Sequence, residues 1–135
     1  MTRFVVDAAA ALRLAAEGAE VPDAHELLAP TLLRSQALST MHEAVHRDAL
    51  PADVALDRLA RVGAMRIRLL GDAVLRRRAW ELATLLGWAS TYDAEYVALT
   101  QLQADALVPL DAELERAVAG VVRTAPFAAL LDPTA

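Results

Sequence analysis

The chain has 135 residues, 56% of them hydrophobic and 23% charged, which is enough for one domain and too few for two ordinary ones. It contains no cysteine, so disulfide frameworks, thiolate zinc sites, iron-sulfur clusters and cysteine nucleophiles are excluded. The formal net charge of -5 gives the molecule as a whole no attraction for polyanions, so any nucleic-acid contact must be local.

All 13 basic residues are arginine, and alanine and leucine dominate the remainder, a pattern read first as coding bias. No apolar run approaches the roughly 20 residues that span a bilayer. Asp7 interrupts the N-terminal apolar run where a signal peptide would continue it. A soluble, cytoplasmic protein without membrane contact is the expectation.

In chain order, Phe4-Val5-Val6 predicts a strand that stops at Asp7, and Ala8 to Leu14 predicts a helix running to Gly18. His25 to Ala29 reads equally as strand or loop. Pro30 suits the first residue of a helix, where its missing N–H would be unpaired anyway, and Leu32, Leu33, Gln36, Ala37, Thr40 and Met41 continue at helical spacing to about Arg47. Pro51-Ala52-Asp53 opens another helix, with Val54, Leu56, Leu59 and Val62 as its apolar set, ending near Gly63.

Arg66 to Leu70 alternates polar and apolar and is closed by Gly71, which predicts a strand. Asp72 caps the next helix, on which Leu75, Ala79, Leu82 and Leu86 form one stripe before Gly87. Ser90 or Thr91 caps a further helix through about Gln103. Ala106-Leu107-Val108 predicts a short strand, Asp111 to Ala119 a helix, and Val121-Val122-Arg123 an edge strand. Short strands alternating with helices define an α/β sandwich with a small, mostly parallel sheet.

Asp7, Asp93 and Asp111 each stand at the end of an element. In a parallel sheet the carboxyl ends of strands and the amino ends of the following helices share one edge, where ligands bind. Clustered carboxylates repel one another and persist where a hard divalent cation such as Mg2+ or Mn2+ neutralises them. Each acid also has a plain structural role open to it: Asp7 as a strand stop, Asp93 beside a helix dipole and Asp111 as a helix cap.

Phe4-Val5-Val6-Asp7-Ala8, Leu28-Ala29-Pro30, Thr91-Tyr92-Asp93-Ala94-Glu95-Tyr96 and Ala106-Leu107-Val108-Pro109-Leu110-Asp111 resemble, in order, the blocks of PIN-domain ribonucleases, in particular VapC toxins of toxin-antitoxin pairs. The resemblance covers about residues 3 to 123. It implies a single PIN-like three-layer α/β/α domain over residues 1–135, a Mg2+- or Mn2+-dependent endoribonuclease acting on RNA, a VapB-type antitoxin as partner, and a homodimer. Asp7, Asp93 and Asp111 match three of the family's four acidic positions, and these would hold the metal.

The fourth position is Gln36 where the family usually has glutamate, so one negative charge is missing. An amide oxygen still binds a hard cation directly or through water, and weaker metal binding is the expectation. Gln36 is therefore retained in the catalytic set, with the role of orienting a water. Thr91 keeps a hydroxyl two residues before Asp93, either to position water or phosphate or to cap the helix. Glu43 shares a helix face with Gln36 but lies roughly 10 Å further along the axis, too far to replace it.

His42-Glu43-Ala44-Val45-His46 fits the H-E-x-x-H pattern of zinc peptidases. Its context is poor: Arg47 and Asp48 follow directly, the helix breaks near Pro51, and His25 has no supporting spacing as a third ligand. Arg76-Arg77-Arg78 is the densest basic run and reads as a solvated helix face before an RNA guide.

Overall fold

The computed structural model describes residues 1–135. The elements are β1 (Thr2–Val6), α1 (Ala8–Glu17), β2 (His25–Pro30), α2 (Leu32–His46), α3 (Ala52–Ala64), β3 (Ile67–Leu70), α4 (Ala73–Leu86), α5 (Tyr92–Gln103), β4 (Ala106–Val108) and α6 (Ala112–Val118), followed by a 3-10 turn at Phe127–Leu131. The four strands form one sheet in the order β3-β2-β1-β4, and every pairing is parallel.

β1, β2 and β4 carry continuous apolar runs because both faces of the sheet are covered there, while edge strand β3 alternates and is only half-buried. Phe4, Val6, Leu27, Ala29, Ala106 and Val108 turn to one face, where α1, α2, α3 and the 3-10 turn cover them through Leu14, Leu33, Met41, Ala55 and Leu130. Val5, Leu28 and Leu107 turn to the other, against Leu75, Leu82, Val97, Leu99 and Leu114 of α4, α5 and α6. Successive side chains on a strand point to opposite faces, so each strand serves both layers. The architecture is a three-layer α/β/α fold.

Several sequence expectations change. The ambiguous 25–29 segment is strand, because Leu27 and Leu28 enter the ladder between β1 and β3. Pro30 ends β2 instead of opening a helix: it lies opposite Leu70 in the register, at a strand end where a missing N–H costs little, and α2 begins at Leu32. On α3 the fully buried residue is Ala55, while Leu56 is exposed. Leu75, Ala79 and Leu82 form the buried stripe of α4 as expected, with Leu86 half-buried at its end.

Val121 to Arg123 is not a strand. Val121 N–H turns back to the Val118 carbonyl, and the chain meets β4 only in a single bridge between Leu107 and Thr124. Pro126 then ends any ladder. Asp72 caps α4 as expected, its Oδ1 accepting from the Leu75 N–H at 2.9 Å. Gly18 closes α1 at φ 61°, a left-handed conformation that lets its N–H reach the last carbonyls of the helix. No helix is long and apolar enough to cross a membrane.

Candidate active site at the carboxyl edge of the sheet

After β1 the chain lays β2 and β3 on one side, and β4 returns on the other side of β1. The strand order therefore reverses between β1 and β4, and a crevice opens beyond their carboxyl ends. Asp7 follows β1 directly, and Asp111 stands three residues beyond the end of β4.

Asp7 is 3% exposed and locks the crevice. Its Oδ1 accepts from the Ala10 N–H at 2.8 Å, capping α1, and its Oδ2 accepts from the N–H groups of Leu110 at 2.9 Å and Asp111 at 2.8 Å. Burial raises its pKa above the usual carboxylate value, against the pull of those three N–H groups, and the neighbouring Asp111 charge adds to the rise. With three donors already placed, one lone-pair direction remains for another ligand.

Asp111 caps α6, its Oδ2 accepting from the Leu114 N–H at 3.0 Å, which leaves Oδ1 free. Asp93, in the first turn of α5, is half-buried and makes no hydrogen bond or ion pair within the protein. Its pKa is raised by burial first, then by the charges of Asp111 and Glu113. The three aspartates, Gln36, Tyr96, Glu43, Glu113 and Ser90 all line one cavity of about 440 Å³.

Five carboxylates face that cavity and no arginine, lysine or histidine does. None of the five takes part in an ion pair. Such a cavity repels anions and attracts cations, and its donors are all oxygens, which suits a hard cation and not zinc. No group of three or more His, Cys, Asp or Glu is drawn together tightly enough to cage an ion. An ion held there would rest on one or two of these carboxylates and on its own waters, as Mg2+ can.

Gln36 enters the same cavity from α2, but its Oε1 is occupied: it accepts from the Tyr96 hydroxyl at 2.6 Å. Tyr96 is buried, and burial, followed by the charges of Asp7, Glu95 and Asp93, pushes its hydroxyl well above the ordinary tyrosine value. Thr91 stands at the start of α5 without a side-chain capping bond and does not line the cavity. The hydroxyl that does both is Ser90, whose Oγ accepts from the Tyr92 N–H at 3.2 Å.

Sequence reasoning set Glu43 aside as too distant from Gln36 and singled out neither Tyr96 nor Glu113 as a site residue. Tyr96 lies one turn from Asp93 and Glu43 two turns from Gln36, so helical spacing carried a signal for both. Glu43 remains too distant to stand in for Gln36, and its Oε2 accepts from Ser39 Oγ. In the H-E-x-x-H stretch, His42 is exposed, and His25 lies in a different cavity with Nε2 on the Asp132 carbonyl. Arg76 holds the Gly71 carbonyl, Arg77 and Arg78 pair with Glu81, and Arg78 Nε also donates to Gln101 Oε1 on α5 at 3.0 Å, so the basic run is tied into its surroundings.

No protein-family model matches the sequence, and no curated protein matches it. Among solved structures the fold is similar to that of PAE2754 from Pyrobaculum aerophilum, with a TM-score of 0.70 at 23% identity, over 96% of this chain and 94% of that one. At that identity the likeness establishes the α/β/α fold and nothing about activity.

Proposed function

We propose that this chain is a metal-dependent endoribonuclease of the PIN-domain, VapC type, hydrolysing RNA phosphodiesters in the cavity at the carboxyl edge of the sheet. The observation that carries the reading is the set of unpaired carboxylates, Asp7, Asp93 and Asp111, facing one cavity that holds no basic side chain. The order of sequence blocks that resemble the PIN family adds to it.

In this reading Asp7 and Asp93 hold Mg2+ or Mn2+, and Asp111 contributes its free Oδ1 directly or through water. When bound, the ion neutralises the acids, acidifies water and polarises a scissile phosphate. The chain's own part is to fix the oxygens: three backbone N–H groups immobilise Asp7, and the α6 cap immobilises Asp111. No side-chain nucleophile is needed, and the family resemblance implies 5′-phosphate and 3′-hydroxyl products.

The partners proposed with this function are a VapB-type antitoxin, an RNA substrate and a second copy of the chain, in the cytoplasm. Exposed Leu38, Leu56, Trp80 and Leu85 supply apolar surface for protein contacts. A second reading, a PIN fold that binds antitoxin or RNA with weakened or no cutting, is favoured by one observation: Gln36 removes a charge from the site.

The test is cleavage of a mixed pool of structured RNAs by purified, antitoxin-free protein with Mg2+ or Mn2+, with and without EDTA. Metal-dependent cutting that disappears in Asp7→Asn is the expected result. A gain in Gln36→Glu would show that the amide tunes the activity. Cutting by Gln36→Glu alone would establish the binding role, and silence from wild type and variants would refute the enzyme.

A further inference from the structure

We infer that Tyr96 is a positioning residue that holds the Gln36 amide with its Nε2 hydrogens toward the carboxylate cavity, so that this corner of the site donates to a phosphodiester oxygen instead of ligating a cation. The substrate named here rests on the ribonuclease reading; the orientation of the amide does not.

The hydrogen-bond arithmetic at the pair decides the orientation. The Tyr96 hydroxyl carries one proton, and Gln36 Oε1 receives it at 2.6 Å from a residue 60 positions away. An amide turned the other way would set Nε2–H against the hydroxyl oxygen and take from the hydroxyl proton the acceptor it has at 2.6 Å. A buried donor left unmade is disfavoured strongly enough to select one orientation. Tyr96 itself cannot swing away: its ring is 1% exposed, packed among Val97, Leu99 and Leu107 in the core between the sheet and α5.

The consequence follows from donor chemistry. A glutamine has one acceptor atom and one donor atom at its tip. Tyr96 engages one of the two lone pairs of Oε1, and the amide nitrogen, which has no partner within the protein, is the unengaged group that Gln36 offers to a ligand. In a cavity whose ionisable lining is entirely acidic, a neutral N–H donor is one of the few groups able to receive an anionic oxygen. A glutamate at the same position would accept from Tyr96 with one oxygen and present the second to a cation. The Gln36 corner therefore exchanges a metal ligand for a substrate contact.

The experiment combines the side-chain amide spectrum of Gln36 in 15N-labelled protein, Mn2+ binding followed by electron paramagnetic resonance, and RNA binding in Ca2+, which measures association without relying on turnover. The wild type is expected to show a sharp, dispersed Gln36 amide pair, which Tyr96→Phe collapses toward free-glutamine shifts. Gln36→Ala and Tyr96→Phe are each expected to weaken RNA binding about tenfold, the size of one hydrogen bond to a charged oxygen, while Mn2+ affinity stays within about twofold. Gln36→Glu is expected to tighten Mn2+ severalfold.

A fivefold or larger loss of Mn2+ affinity in Gln36→Ala would overturn the inference by making the amide oxygen a ligand. Unchanged amide shifts and RNA affinity in Tyr96→Phe would overturn it by removing the lock. A wild type with the locked amide that neither binds nor cuts RNA would overturn the ribonuclease reading and the phosphate partner with it, while the amide spectrum still supports the lock.

Discussion

Asp93 carries a cost that a ligand would remove. Its carboxyl is raised by burial and by the charges of Asp111 and Glu113, with no cation nearby to offset them. A carboxyl with a folded pKa above its unfolded value binds more protons folded than unfolded, so stability falls as pH rises from about 3.8 through the raised value. Asp93→Asn removes that charge. In metal-free protein at neutral pH the variant should be more stable than wild type by about 0.5 kcal/mol, a figure reduced for solvent screening at a half-exposed group. Urea denaturation at neutral pH and near pH 4 checks it: the gain should be present at the first and absent at the second. Asp7→Asn should behave oppositely, because an amide nitrogen set against the N–H donors that hold Asp7 loses at least one of three hydrogen bonds.

At the scale of elements, the turns at the carboxyl ends of β2 and β3 are packed tightly against each other. A Cβ built on Gly71, between β3 and α4, would meet Thr31 Oγ1 at 2.7 Å and Thr31 Cγ2 at 3.1 Å. Thr31 stands before α2 without a capping hydrogen bond, and its N–H binds the Leu70 carbonyl at 3.1 Å, which ties the two turns together. Gly71→Ala should therefore destabilise by about 1–2 kcal/mol through overpacking. Thr31→Ala should be nearly neutral alone and should restore most of the loss in the double variant. A double-mutant cycle by chemical denaturation measures this coupling, and simple additivity would refute the contact.

For the whole molecule, the sheet brings to one edge charges that are scattered along the chain, and folding without a cation keeps them there against their repulsion. Anything that binds only the folded state adds stability by mass action, about 2.7 kcal/mol at 100 times its dissociation constant. Mg2+ or Mn2+ should accordingly raise the thermal midpoint of the wild type. EDTA should reverse the rise, and Asp93→Asn should show little of it. A midpoint indifferent to either ion would count against the proposed site.

The fold was legible because its signals are local. The apolar run stopped by Asp7 and the alternating stretch closed by Gly71 predict strands, and Asp72 before a leucine stripe predicts a capped helix. The misread segments are those where a local rule has two outcomes. Pro30 is acceptable both at the first turn of a helix and at the end of a strand, and only the pairing with β3 chooses between them. Val121 to Arg123 has strand propensity, but the turn after α6 leaves it no ladder to join. For the site, the sequence by itself determined which acids stand at element ends, since strand stops and caps are written within a few residues. Tertiary structure alone decided that these acids share a cavity with Glu43, Glu113 and Ser90, and that Gln36 meets Tyr96 from 60 positions away. Such contacts depend on strand order and on how α2 and α5 close over the end of the sheet, which no local pattern encodes.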